Sequence, residues 1–327
     1  TLMENKERLK CVQNGYLCAS CSKSFGAGIF RHVTYESGQK PAWVVLPDNM
    51  GEKEYNEQML KEVVSEIEAY SGANVIISDE HMRFLSPERM QRIKELIELV
   101  VPGCEIKVVL GLRNFVDYIN TSMQLAAKRG VTKSGICQEL INNGCCFGSA
   151  ITRITSVFSE KSLILYKVED GAENSASYAG HFLQQIGIGE QEVGKLRLIE
   201  KSVAISDRAA ELVFKINERL RSVKSRKLGA AVVSKQLSPL LGISGEKKYS
   251  LGKKELKQFF PMIEKESVWL KEKYNIDYSS YRKRIKNVKV VYDKVFEKEV
   301  KDIFCKLPPH IKQAAYYCFA EQTKAEK

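Results

Sequence analysis

An α/β fold is predicted for this chain: a parallel sheet with helices on both faces, followed by a mainly helical C-terminal extension. Three observations carry that expectation. Short runs rich in β-branched residues, NVIIS (74–78), EIKVVLG (105–111) and SLILYKV (162–168), alternate with stretches whose apolar residues recur at helical spacing. Strands separated by helices pair in parallel, because a parallel connection needs a long crossover that a helix supplies. After about residue 200 the strand runs stop and amphipathic patterns with Lys-rich connections take over.

EYNEQMLKEVVSEIEAY (54–70) has the helical period and leads into the buried strand NVIIS. SPERMQRIKELIELV (86–100) opens with Ser86 as N-cap, Pro87 at the first helical position and Glu88 in the first turn. Arg89 stands where a capping box would want Glu or Gln, so that reciprocal bond is absent. EIKVVLG is the next strand, closed by Gly111; a helix from Phe115 to Arg129 follows, with Gly130 as its terminator. TRITSVF (152–158) reads as a short helix before SLILYKV. SDRAAELVFKINERLRSV (206–223) is an amphipathic helix capped by Ser206, and 228–250 is a Gly-, Ser- and Lys-rich loop. Helices are expected at 253–274 and in 290–304, and Pro308 and Pro309 open a last one. The chain divides into an α/β core over 1–227 and a basic helical extension over 228–327.

The 327 residues are 44% hydrophobic and 28% charged, which excludes disordered and fibrous classes. The longer apolar runs, such as AWVVL (42–46), are too short to span a bilayer. No signal peptide is visible, and the first residue is Thr1 rather than Met, which leaves room for an upstream segment. Nine scattered cysteines, an odd number, fit free thiols in a reducing cytoplasm. Charge is unevenly placed: residues 221–327 hold 25 Lys and Arg against 12 Asp and Glu, while the rest is nearly neutral. A basic last third meets an anion or simply solvates helix faces.

Several segments, in order, carry a family resemblance. TLMENKERLKCVQNGYL (1–17), NVIISDEHMRFLSPE (74–88), EIKVVLGLRNFVDYINTSMQLAAKRG (105–130), SVFSEKSLILYKVED (156–170), HFLQQIGI (181–188), SVAISDRAAELVFKIN (202–217) and SVWLKEKYNIDY (267–278) together resemble the bacterial sulfotransferase family. The resemblance implies a P-loop nucleotide-binding fold, 3′-phosphoadenosine 5′-phosphosulfate as sulfuryl donor, and a hydroxyl acceptor, often a surface glycan. Within it, 1–17 corresponds to the helix that follows the phosphate-binding loop, so the first strand and the Gly-rich loop with its catalytic Lys would lie just before Thr1. CSKSFGAG (21–28) superficially resembles such a loop, but NGYLCAS before it is a poor strand, and Lys23 reads as a loop residue.

Sulfuryl transfer needs a base for the acceptor hydroxyl, at the carboxyl end of a parallel strand where α/β sheets place ligands. Asp79, Glu80 and His81 stand there after NVIIS. The resemblance points to Glu80 as the acid–base residue with His81 beside it; the competing reading is a turn whose acidic groups cap or solvate. Arg113 follows EIKVVLG, and Thr121 and Ser122 come eight and nine residues later. By resemblance these grip the cofactor's 3′-phosphate, Arg supplying a planar bidentate fork and a hydroxyl a further donor. Asn114 and Phe115 depart from the polar pair the family has after the Arg, and the competing reading for Arg113 is an ion pair at a strand end. Cys18 and Cys21 form a lone CxxC, read as free thiols, and His32, His181 and His310 are isolated; no metal-binding pattern occurs. RKRIKNVK (282–289) is a solvated face or an anion-binding run. The alternative to an enzyme is a degenerate relative that binds an anionic partner, glycan or nucleic acid, through its basic part.

Overall fold

The computed structural model describes residues 5–11, 15–18, 50–70, 74–78, 82–144, 147–172, 178–197, 204–222, 236–245, 247–286 and 294–325. They form two compact units: Thr1–Leu112 with Phe147–Glu200, and Arg113–Cys146 with Lys201–Lys327. The expected boundary at 227 falls outside the described residues.

The first unit begins with α1 (Lys6–Lys10), β1 (Tyr16–Cys18), α2 (Glu52–Glu68), β2 (Asn74–Ile76), α3 (Pro87–Val100) and β3 (Val108–Leu112). The second takes α4 (Phe115–Lys128) and α5 (Lys133–Glu139). The chain then returns to the first for α6 (Phe147–Phe158), β4 (Leu163–Lys167), α7 (Val168–Ala172), α8 (Tyr178–Gln185) and α9 (Glu190–Gly194). It ends in the second with α10 (Asp207–Ser222), α11 (Lys253–Leu256), α12 (Phe260–Tyr274), α13 (Lys294–Phe304) and α14 (Pro309–Ala325). Among the described residues no helix is long and apolar enough to cross a membrane.

All three strand runs form strands, and the class is α/β with parallel pairing. Among the described residues they do not join one continuous sheet, however. β1 pairs with β2 in the register Tyr16–Asn74, Leu17–Val75, Cys18–Ile76, and β3 pairs with β4 from Val108–Leu163 to Leu112–Lys167. Each is a separate two-stranded parallel sheet. Tyr16–Cys18 corrects the reading of NGYLCAS as a poor strand: its three residues are all buried, and partnering with β2 supplies the backbone bonds that so short a run cannot make alone. Lys23 lies outside the described residues. Of the segment expected as a first helix over 1–17, the described residues are helical at 6–10 and strand from Tyr16.

Side-chain alternation gives each sheet two faces. Leu17, Val75 and Ile77 from the first sheet, and Val108, Leu110 and Leu163 from the second, join one apolar cluster with Met59 and Val63 of α2, Met90 and Ile93 of α3 and Ile154 of α6. On the opposite face Tyr16 and Ile76 pack with Leu9 of α1, Leu183 of α8 and Val193 of α9. Tyr166 of β4 meets His181 of α8 edge to face at 5.2 Å. The same two layers of helices therefore cover both sheets. Buried Asn5 holds this second layer together, donating to the Arg197 carbonyl and accepting from the Arg197 N–H, both at 2.8 Å.

Local signals set most boundaries. The Ser86 hydroxyl accepts from Arg89 N–H at 3.4 Å, as an N-cap should. Gly130, at φ +74°, follows the last turn of α4, where the chain enters the left-handed region. Ser206 caps α10 by accepting from Ala209 N–H at 3.1 Å. α6 starts at Phe147, five residues before the expected start, because buried Gly148 sits within the apolar stripe Phe147, Ala150, Ile151 and Ile154. Packing of that stripe outweighs the glycine's helix cost of about 1 kcal/mol. The expected helix over 253–274 is two, divided by a tight turn at 257–259, with Pro261 in the first turn of α12 where its missing N–H is harmless.

The second unit is built on α4 and α10, which pack together, with α14 on α10. Two α4 amides bind the strip that runs through Ser250. Asn120 donates to Ser250 Oγ at 3.0 Å and accepts from Leu251 N–H at 2.9 Å. Gln124 donates to the Tyr249 carbonyl at 3.2 Å and accepts from Ile205 N–H at 3.1 Å. This strip belongs to the expected loop over 228–250, yet Tyr249 and Ser250 are buried.

Candidate functional site

Of the residues expected to hold the cofactor, Arg113 lies just before α4, and Thr121 and Ser122 lie in its middle turns. Arg113 directly follows the last residue of β3 and is half-buried. Asn114 caps the helix, its side-chain oxygen accepting from Val116 N–H at 3.0 Å. Phe115, Val116, Ile119 and Met123 are buried, and Phe115 meets Tyr278 edge to face at 5.6 Å, so this helix start is firmly seated in its unit. The first N–H groups of such a helix, with its dipole, favour an anion.

Thr121 stands seven residues beyond Asn114, nearly two full turns and about 10 Å along the axis. It is exposed and shares a face with Asn114 and Asp117. Its hydroxyl donates to the Asp117 carbonyl at 2.8 Å, so its one proton is already engaged. Ser122 is half-buried on the adjoining face and makes no hydrogen bond among the described residues. Of the two hydroxyls, Ser122 is the one whose proton is available to an anion.

A further cation reaches this helix that no local pattern places there. Arg284 ends a 3-10 turn over Ser279–Arg284 and approaches Asp117 Oδ2 at 3.4 Å, one helical turn before Thr121. Tyr281 anchors the turn: it is buried, meets Phe260 at 5.8 Å, and donates to Glu264 at 3.1 Å. Arg282 pairs with Glu264 as well and holds that exposed carboxyl below its ordinary range, together with the Tyr281 bond. Two of the basic residues in RKRIKNVK are thus tied to carboxylates. Asp117 and Arg284, 167 residues apart in sequence, meet here, which is why sequence reading separated Arg284 from Thr121.

Glu80 and His81, with Asp79, lie outside the described residues, as do Cys21 and His32. Cys18 is a buried free thiol in β1, and burial raises its pKa above the ordinary thiol value, an unreactive setting. His181 packs on Tyr166, and His310 shares a 3.0 Å hydrogen bond with Gln236. Both have structural partners. Comparison with known protein families, curated proteins and solved structures finds no match for this chain.

Proposed function

We propose that the chain is a sulfotransferase-like protein of P-loop type, moving a sulfuryl group from 3′-phosphoadenosine 5′-phosphosulfate to a hydroxyl, in particular of a glycan. The observation that carries this reading is Arg113 at the junction of a parallel strand and a buried-anchored helix, with an unengaged hydroxyl, Ser122, on that helix. A guanidinium fork and a hydroxyl are donors that suit a phosphate.

In this reading Arg113 and Ser122 hold the 3′-phosphate, with Thr121 contributing only if it releases the Asp117 carbonyl. Arg284 offsets the charge of Asp117 on the same helix, which lowers the repulsion an approaching phosphate would meet. The donor nucleotide supplies the activated sulfuryl group. Glu80 takes the proton of the acceptor hydroxyl as its oxygen bonds to sulfur and the bond from sulfur to the phosphate oxygen breaks; His81 stands next to it in sequence. The products are the sulfate ester and 3′-phosphoadenosine 5′-phosphate.

Calorimetry with 3′-phosphoadenosine 5′-phosphate tests the reading. Arg113→Ala should weaken binding by about 1.5–3 kcal/mol, the worth of a lost charge-assisted hydrogen bond. Equal affinity in the variant removes Arg113 from the site. No binding by the wild type, with retained binding of sulfated glycan, would favour the degenerate anion-binding relative instead.

A further inference from the structure

Positive charge gathers in one of the two units. Arg113–Cys146 with Lys201–Lys327 carries 33 Lys and Arg against 17 Asp and Glu, whereas the rest of the chain carries 18 against 23. Within the basic unit the segment 247–257 holds Lys247, Lys248, Lys253, Lys254 and Lys257, all of them exposed. The segment is anchored along its length. Tyr249, Ser250 and Leu251 are buried, and the side-chain amides of Asn120 and Gln124 on α4 hold them. The entry to α10 holds them as well: Tyr249 N–H donates to the Ile205 carbonyl at 3.1 Å, and Asp207 N–H donates to the Lys247 carbonyl at 3.0 Å. Leu256 and Phe259 are buried too, so the single turn of α11 presents Lys253, Lys254 and Lys257 outward.

The fold also draws the local counter-charge away from these lysines. Glu255 is the one acidic residue in 247–257, and both its oxygens are taken. Oε1 meets Lys133 at 2.6 Å, and Oε2 accepts from Gly252 N–H at 3.0 Å. Lys133 is fixed in turn by Glu211 at 2.7 Å. Among the described residues none of the five lysines pairs with a carboxylate. A solvated helix face ordinarily mixes charges of both signs. Here five like charges stand within about 35 Å even for a fully extended segment, a repulsion that an external anion relieves.

The chemistry of the cations narrows the class of anion. All five are lysine, a compact point charge on a flexible stem, without the planar fork by which Arg reads a single phosphate or carboxylate. The neighbouring rings, Tyr249 and Phe259, are buried, so they offer no platform on which bases could stack. Point charges with neither fork nor platform suit a broad array of phosphates, and a group of about four to eight basic residues beside a bilayer is drawn to anionic lipid. We propose that 247–257 is a docking surface for an anionic lipid bilayer, on which the chain rests peripherally through these five ammonium groups. The inference stands on charge and anchoring and is independent of the sulfuryl-transfer reading.

Co-sedimentation with lipid vesicles tests it, using the whole chain and no nucleotide. Vesicles of two parts phosphatidylcholine to one part phosphatidylglycerol should bind the protein, and vesicles of phosphatidylcholine alone should not. Replacing all five lysines by Gln should weaken binding at least about a hundredfold, since each adds about fivefold near such a surface. Salt at about 1 M, where the screening length falls to about 3 Å, should abolish it. A matched control replaces Lys265, Lys298, Lys301, Lys306 and Lys312, exposed lysines of the same unit, by Gln. It should keep its affinity within about tenfold, because charges held away from the bilayer are screened. Equal loss in the two variants overturns the proposal, since binding would then follow net charge rather than this segment. So does absence of binding to the anionic vesicles; heparin or duplex DNA bound instead, and lost in the first variant, would assign the segment to a soluble polyanion.

Discussion

Gly111 of β3 lies directly across from Tyr166 of β4, and a Cβ built on it would sit 2.7 Å from the tyrosine hydroxyl oxygen and 2.8 Å from Cζ. The tyrosine ring occupies the space a side chain would need, and the same ring meets His181 edge to face. The glycine that ends EIKVVLG is thus a packing requirement within the sheet. Its φ is not positive, so backbone conformation is not the reason.

Gly111→Ala should lower stability by about 1–3 kcal/mol, the usual cost of overpacking a rigid site. Urea denaturation would measure it. Gly111→Ala combined with Tyr166→Leu should cost less than the two single changes added together, because the leucine vacates the contested volume. Strict additivity would mean that the clash is relieved elsewhere.

Lys133 carries a pH-dependent contribution. Burial alone would pull its pKa down, but Glu211 at 2.7 Å and Glu255 at 2.6 Å outweigh that and raise it above the ordinary lysine value. A raised lysine pKa stabilises the folded state fully below the unfolded value, near 10.4, and the gain fades as pH climbs through the folded value. Lys133→Met should therefore destabilise by about 1–2 kcal/mol at pH 7, allowing for screening at the partly exposed Glu255. The difference between variant and wild type should shrink above pH 10.5. A difference that stays constant to pH 11 would point to lost packing instead.

The two hydroxyls of α4 should separate in binding. Ser122→Ala should weaken the affinity for 3′-phosphoadenosine 5′-phosphate by about 1 kcal/mol, while Thr121→Val should leave it nearly unchanged. Calorimetry reads both. The reverse order would show that Thr121 gives up the Asp117 carbonyl when the anion arrives.

Glu80→Gln bears on the chemistry alone. In an assay of sulfate transfer to glycan acceptors, it should abolish turnover, a loss of about 10²–10⁴-fold. Nucleotide affinity should persist, because the carboxylate acts on the acceptor. Unchanged turnover would move the role to His81.

Asp277 offers a direct electrostatic check. Hydrogen bonds from Ser279, whose N–H lies 2.7 Å away, and the nearby Lys271 hold its carboxyl down to about 2. An NMR titration of Asp277 should find its midpoint there, with the local stabilisation present above the ordinary carboxylate range and lost as pH falls towards 2. A midpoint near 4 would mean that the Ser279 bond does not persist in solution.

The sequence by itself determined the elements whose signals are local. Val108 and Val109, and the run from Leu163 to Tyr166, declare strands within five residues; Ser86 and Ser206 declare helix starts; Gly130 declares a helix end. Parallel pairing was legible too, since helices between strands leave little alternative. Arg113 could be singled out because it follows a strand run in the order that the family resemblance implies. Tertiary structure decided the rest. Tyr16–Cys18 is too short to read as a strand until β2 pairs with it, and Gly148 looks like a helix breaker until Phe147 and Ile151 are buried around it. Arg284 meets Asp117 only because Tyr281 is sunk beside Phe260. The pairing of the described strands two by two is likewise not written in any local period. Periodicity records what a residue does within its own element, whereas edges, partners and vacancies arise from segments far apart in sequence, joined by burial that no single segment encodes.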